Sequence, residues 1–251
     1  MIRFDVLPDD VLLDIFDFYV HHTSYQRTRT EVWRPLVHVC RRWRSLVFRS
    51  PRRLNLRLVC TPKTLIRDTL DTWPALPLIV EGDLAISSDT DNIIAALGQS
   101  SRICLVDLRL AGSQSEEVLA AMQVPFPELT DLQLSSYDET PPVIPDSFLG
   151  GSAPRLRSID LNGIRYPGFR TLLLSATHLV ELWLANTPHS GYISPEAMVA
   201  LLSVLSSLKT LYLAFRSSPS DLDLESRSPP PSKRPILPAL EFFFSKGPSN
   251  I

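Results

Sequence analysis

The sequence predicts an α/β chain in which a short helical module, residues 1–50, precedes a solenoid of short strands and helices, residues 51–215, with its strands in one parallel sheet. Three observations predict it. Apolar residues recur at three- and four-residue steps up to Ser50-Pro51, which is the period of amphipathic helices. Beyond Pro51 they alternate at two-residue steps, as in half-buried strands. One three-position leucine signature then returns five times between Leu105 and Leu213, the mark of an internal repeat.

The elements follow in order. Leu7-Pro8-Asp9-Asp10 opens the first helix, since proline suits the first turn and the aspartates complement the positive end of the helix dipole. Leu7, Val11, Leu12, Ile15, Phe16 and Tyr19 make its apolar face, and the polar stretch from His21 to Glu31 reads as a loop. A second helix carries Trp33, Leu36, Val37, Cys40, Trp43 and Val47 on one stripe, opposite Arg41, Arg42 and Arg44, and Ser50-Pro51 stops it. Leu54, Leu56 and Leu58 alternate with Arg53, Asn55 and Arg57 and predict a strand. Thr61-Pro62 opens a helix that Pro74 closes, Leu76 to Val80 is another strand, and Asp91 to Leu97 is a short helix. Ser113 followed by Glu116 has the form of a capping box, and Ser194-Pro195 starts a helix with Met198, Leu201, Leu202 and Leu205 on its apolar side. Twenty-two prolines against nine glycines fall between these segments and punctuate them.

The repeat places apolar residues at positions one, four and six. It reads Leu105-Leu108-Leu110, Leu129-Leu132-Leu134, Leu156-Ile159-Leu161, Leu179-Leu182-Leu184 and Leu208-Leu211-Leu213, with intervals of 24, 27, 23 and 29 residues. The last two positions lie two apart and share one side of a short strand, while the first sits at the turn entering it. One such strand cannot bury its leucines, but stacked units build a continuous core. The pattern resembles the leucine-rich repeat family. It departs from that family in lacking an asparagine three residues after the last leucine, which puts a regular asparagine ladder in doubt. A non-repeating two-layer α/β domain is the alternative reading of the same strand and helix alternation. In the repeat reading, residues interleaved with the leucines, Arg109, Gln133, Asp160, Trp183 and Tyr212, face away from the core and form a mixed charged and aromatic surface suited to protein recognition.

Residues 5 to 50 carry a second resemblance. Leu7-Pro8-Asp9-Asp10-Val11-Leu12-Leu13-Asp14-Ile15-Phe16 resembles the opening of an F-box, and Val39-Cys40-Arg41-Arg42-Trp43-Arg44-Ser45-Leu46-Val47 resembles its closing helix. Pro51-Arg52-Arg53-Leu54-Asn55-Leu56, Phe148-Leu149-Gly150-Gly151 and Pro154-Arg155-Leu156 look like fungal F-box proteins with leucine-rich repeats. The resemblance implies binding to the Skp-type adaptor of a cullin-RING ubiquitin ligase, with an unspecified protein substrate held by the repeats. It places the adaptor contact on Leu7, Pro8, Val11, Leu12, Ile15, Phe16, Leu36, Val39 and Trp43, some of which must instead be core of the module. The polar stretch from His21 to Glu31 is longer than a compact version needs, a lengthening that costs little loop entropy. A repeat scaffold whose N-terminal helices merely cap the solenoid, without a ubiquitin role, is the competing reading.

Other chemistries find less material. A formal charge of −2 exerts no global pull on nucleic acid or anionic membrane. Seven arginines between Arg41 and Arg57 without an acid suggest a solvated helix face before a nucleic-acid patch. Cys40, Cys60 and Cys104 sit in apolar patterns without paired spacing and read as buried thiols, so neither a zinc site nor a disulfide framework is expected. No glycine-rich phosphate loop, nucleophile elbow or HExxH occurs, and the chain is expected to be non-catalytic and to need no cofactor. No apolar run reaches the length of about 18 to 20 residues that spans a bilayer, and the N-terminus has no signal-peptide core, which points to the cytoplasm or nucleus. Residues 216–238, rich in Ser, Pro and charge, are expected to form a flexible insertion. Residues 239–251 hold a last apolar strand, Leu240 to Phe244, with Ser245 at the sixth repeat position and no evident cap, as in a shortened repeat or a weakly held end.

Overall fold

The computed structural model describes residues 7–23, 31–86, 89–166, 169–187, 195–215 and 237–246. The expected loop lies outside these residues over 24–30, as does the Ser/Pro-rich insertion apart from residues 237 and 238. Eight strands follow one another in sequence order across one open sheet: β1 (Leu58–Cys60), β2 (Leu78–Asp83), β3 (Ile103–Leu110), β4 (Asp131–Ser136), β5 (Ser158–Asn162), β6 (Glu181–Thr187), β7 (Thr210–Phe215) and β8 (Phe242–Lys246). Every pair from β3 to β8 is parallel. The helices are α1 (Asp9–Thr23), α2 (Arg34–Val39), α3 (Arg41–Arg49), α4 (Ile66–Thr72), α5 (Thr90–Leu97), α6 (Gln114–Ala121), α7 (Phe169–Ser175) and α8 (Pro195–Leu202). The chain divides into two compact units, one of Met1–Val59 with Leu65–Ile79 and one of Cys60–Thr64 with Val80–Ile251.

The first unit is held by large aromatic side chains used once each. Trp33 is fully buried, donates its indole N–H to the Arg57 carbonyl at 3.1 Å, and meets Phe48 and Trp73 edge to face. Burying an indole requires such a partner for its N–H. Arg34 lies 5.1 Å over the Trp73 ring, and Phe16 packs against Trp43 at 4.6 Å. Four of the seven arginines between Arg41 and Arg57 make bonds within the unit. Arg42 bonds Asp9 and the Leu7 carbonyl, Arg44 the Val37 carbonyl, Arg53 Asp14 and Arg57 Asn55. Of these, Arg42 and Arg53 meet carboxylates, whereas Arg44 and Arg57 meet neutral oxygens.

Several expectations are corrected here. The second helix is two helices, because Cys40 is extended (φ −159°, ψ 170°) between α2 and α3. No proline or glycine marks the break in sequence. The Arg44 guanidinium bonds the Val37 carbonyl and so supplies a partner at the end of α2. Cys40 is exposed rather than buried, whereas Cys60 and Cys104 are buried as expected. The first helix runs on through residues 21–23. Leu54 to Leu58 is mostly a turn, with Asn55 in the left-handed region (φ 47°), and the strand begins at Leu58. Leu54, Leu56 and Leu58 are nonetheless all buried, so the alternation predicted the faces correctly and the element wrongly. Ser113 makes no side-chain cap bond, and the capping box does not form.

In the second unit the leucine positions of successive strands stack. The register joins Val106 to Leu132, Leu132 to Ile159, Ile159 to Leu182 and Leu182 to Leu211. The first unit of the repeat is therefore Ile103-Val106-Leu108, not Leu105-Leu108-Leu110. A backbone motif fixes the same frame. The carbonyl of the second repeat position accepts N–H groups from the next unit: Cys104 from Thr130, Thr130 from Arg157 and Ser158, Arg157 from Val180 and Glu181, Val180 from Lys209 and Thr210, and Lys209 from Glu241 and Phe242. A two-residue slip leaves the buried face unchanged, because strand side chains alternate with period two. Ile103, Val106, Leu108 and Leu110 are all buried while Leu105 is half-buried. With this frame the units start at 103, 129, 156, 179, 208 and 240, at steps of 26, 27, 23, 29 and 32 residues.

The core lies between this leucine face and the apolar sides of the short helices, whose Ile93, Val118, Leu119, Leu172, Leu173, Leu201 and Leu202 are buried. Gly163, just past β5, has φ +66° and bonds the Ala185 carbonyl; a Cβ there would stand 2.1 Å from the Ser136 carbonyl oxygen. Only glycine fits that approach. Among the described residues, the Asn186 side-chain amide donates to the Asn162 side-chain oxygen at 2.8 Å across neighbouring strands. On β8, the last strand among the described residues, Phe243 occupies the leucine row opposite Leu211 and yet is 59% exposed. Glu241 bonds Lys209 at 2.7 Å and, by that bond and its charge, raises the Lys209 ammonium above its ordinary value.

Candidate protein-binding surfaces

The expected site residues lie on two surfaces, one in each unit. On α1 the apolar residues expected to make a single face divide into two. Leu12, Phe16 and Val20, spaced by four, are buried. Val11, Ile15, Phe18 and Tyr19 lie at 38%, 44%, 63% and 38% exposure. At 100° per residue these occupy the adjacent arc of the helix, so the apolar arc of α1 is wider than the roughly 100° a core-facing stripe needs. Val39, at the end of α2, is also exposed, and Pro8 with it. Of the nine residues expected at an adaptor contact, Leu12, Phe16 and Leu36 are core, Pro8, Val11, Ile15 and Val39 are exposed, and Leu7 and Trp43 are intermediate. Phe18 was absent from that set. Its sequence signal is the width of the apolar arc of α1, which exceeds one face.

The second surface is the sheet face turned away from the leucines. Register places Asp107, Gln133, Asp160, Trp183, Tyr212 and Phe244 in one row across β3 to β8. Gln133, Asp160, Trp183 and Tyr212 were expected together and are together. Arg109 is on the same face one row further along, opposite Ser135, and its place in the row belongs to Asp107. This is the same two-residue slip that displaced the leucine frame. A neighbouring row holds Asp131, Ser158, Glu181, Thr210 and Phe242.

Chemically the face is graded. Strands β3 to β6 offer the carboxylates Asp107, Asp131, Asp160 and Glu181 against one cation, Arg109, whose guanidinium bonds Asp83 at 3.1 Å and lies 4.8 Å over the Tyr137 ring. Strands β6 to β8 offer aromatic rings in a parallel stack. Trp183 and Tyr212 are 4.8 Å apart at 20°, Tyr212 and Phe244 4.6 Å apart at 10°, and Trp183 and Phe242 6.2 Å apart at 20°. Parallel pairing follows from the parallel register, which sets like positions side by side. Trp183 and Tyr212 are half-exposed and Phe242 and Phe244 exposed, so the stack is open to solvent. Rigid aromatics on a strand scaffold are suited to anchor a partner.

A separate cleft of about 670 Å³ lies where the segment from Asp138 to Pro145 passes the start of α6. It is lined by Ser115, Glu116, Asp138, Glu139 and Arg165 among others. Among the described residues no group of three or more His, Cys, Asp or Glu is placed to hold a metal, and no helix is long and apolar enough to cross a membrane. No family model, curated protein or solved structure matches the chain.

Proposed function

We propose that the chain is a substrate-recognition adaptor of a cullin-RING ubiquitin ligase, acting in the cytoplasm or nucleus, without catalytic chemistry of its own. Its N-terminal helices bind a Skp-type adaptor and its repeat sheet holds a protein substrate. The adaptor role rests on the resemblance of residues 5 to 50 to an F-box. The observation that supports it is the second apolar stripe of α1, Val11, Ile15, Phe18 and Tyr19, left exposed beside a stripe that is already buried. A helical cap that served only to close a solenoid would have no need of it, since exposing large apolar groups forfeits about 25 cal/mol for each Å² left in water. A contiguous exposed apolar patch is the usual mark of an interaction site.

The test is co-purification of the full chain with the Skp-type adaptor, comparing wild type with Ile15→Asp and Phe18→Asp. Both positions are exposed, so the fold should survive, as thermal unfolding will check, while adaptor capture falls by about tenfold or more. Normal capture by both folded variants would refute the contact. Leu12→Asp, at a buried position, is the control expected to unfold the module and lose binding for that reason.

A further inference from the structure

We infer that the chain self-associates through the edge of β8, which pairs antiparallel with β8 of a second copy about a twofold axis at Phe243. The inference does not depend on the proposed adaptor role or on the reading of the open face as a substrate surface.

Among the described strands β8 is the odd one. Each of the others buries apolar side chains, whereas every residue from Glu241 to Lys246 is exposed. The strand is also apolar on both faces. Phe243 lies in the leucine row opposite Leu211, and Phe242 and Phe244 lie on the open face opposite Thr210 and Tyr212. On its far side no strand pairs with β8 among the described residues. The Phe242 N–H bonds the Lys209 carbonyl, on the β7 side. Backbone groups alternate sides along a strand, so the N–H and C=O of Phe243 and Ser245 point to the outer edge. An edge of that kind is a template for another strand.

The pattern of β8 selects the occupant. An added strand covers both faces only if it is itself apolar at three successive positions. Strands of antiparallel sheets are commonly apolar on one face alone, but β8 has the required run. In two antiparallel copies, paired residues share a face, so only registers that pair odd positions with odd and even with even keep the two sheets continuous. The register with Phe243 opposite Phe243 also places Phe242 opposite Phe244 on each side of the axis, and so matches every phenylalanine with a phenylalanine. It sets Glu241 opposite Ser245 and leaves no like charges facing. Centring on Phe244 sets Phe242 against Lys246, and centring on Phe242 sets Phe243 against Glu241.

The chosen register also extends the aromatic stack. Tyr212 and Phe244 are 4.6 Å apart, and Phe242 of the second copy becomes the next ring at the strand spacing of about 4.8 Å. The area sets the strength. At 47%, 59% and 37% exposure, Phe242, Phe243 and Phe244 leave on the order of 300 Å² of ring surface in water on each copy. Two such edges fall short of the roughly 1,200 Å² of a stable complex, so the dimer is transient, with a dissociation constant on the order of tens of micromolar. It is also closed, because the pairing uses both edges.

The test is sedimentation equilibrium of the full-length chain from about 1 μM to about 500 μM. A reversible rise toward twice the chain mass, and no further, is expected. Phe243→Lys and Phe243→Glu should each weaken association about tenfold, since like charges then face each other across the axis. An equal mixture of the two variants should regain it, because Lys then faces Glu. Ser245→Pro removes an edge-directed N–H, spares the bonds to β7 and should also weaken association about tenfold. It keeps the test valid if thermal melts show that a charge at position 243 disturbs the fold. A monomer at every concentration would overturn the inference and leave the edge to a strand of another protein. Growth beyond the dimer would overturn it in favour of head-to-tail addition. Undiminished association of the single variants, or a mixture no tighter than its components, would overturn the register and the inference with it.

Discussion

The helical unit and the repeat unit solve the problem of burial in opposite ways. Around Trp33 each large side chain has one job and one set of neighbours, with Phe48, Trp73 and the Arg57 carbonyl closing on it from separate segments. In the sheet the job is distributed. Leu132, Ile159, Leu182 and Leu211 occupy equivalent places, each covered by the units before and after it. The first arrangement concentrates stability in few residues, and the second spreads it along an array whose neighbours support one another.

Mutations can break or sharpen that contrast. Trp33→Ala should cost the most, about 3–5 kcal/mol, and should remove the helical unit as a whole in chemical denaturation followed by far-UV circular dichroism. A loss below about 1 kcal/mol would show that the aromatic cluster is not its keystone. Leu161→Ala, at a buried mid-array position, should cost about 2–4 kcal/mol and should lower protection from amide hydrogen exchange most in the adjoining strands β4 and β6. Exchange that rises equally throughout the sheet would contradict neighbour-by-neighbour stability.

Gly163→Ala should cost about 1–3 kcal/mol through strain at φ +66° and the clash with the Ser136 carbonyl, although it removes no contact. A neutral thermal melt would mean that the turn relaxes freely. Phe243→Ala should matter least, within about 0.5 kcal/mol, because this core-row phenylalanine is largely in water. A cost like that of Leu161→Ala would show that β8 is covered in solution.

These two regions were also unequally legible in the sequence. The repeat was read from spacing alone, because a strand needs only its alternate residues to be apolar and the stack reuses the same solution. What spacing could not supply was register. Leu105-Leu108-Leu110 and Ile103-Val106-Leu108 both satisfy one-four-six and share the inward strand face of Val106, Leu108 and Leu110, differing in whether Leu105 or the buried Ile103 takes the first position. The strand register and the bond from the Thr130 N–H to the Cys104 carbonyl decide between them, and both are made by backbone atoms that every residue but proline possesses. The slip then passed from the core to the surface, placing Arg109 in the row where Asp107 stands. In the helical unit the reverse held. The apolar positions were visible, but which side of α1 met the core depended on partners distant in sequence. The break at Cys40 left no mark a propensity rule could read, since the Val37 carbonyl is satisfied by an arginine seven residues on.

The parallel register of the open face has a metrical consequence. Strands about 4.8 Å apart make the row from Asp107 to Phe244 a scale. Asp107, Asp160 and Tyr212 stand on every second strand, about 9.6 Å apart, with Gln133, Trp183 and Phe244 on the strands between. A polyproline II chain laid across the strands turns the same side every third residue, about 9.3 Å. The two periods nearly coincide, so a chain of that conformation keeps step with alternate strands for the width of the face, whereas a β-strand, repeating its side every 6.6 Å or so, falls out of phase within two of them.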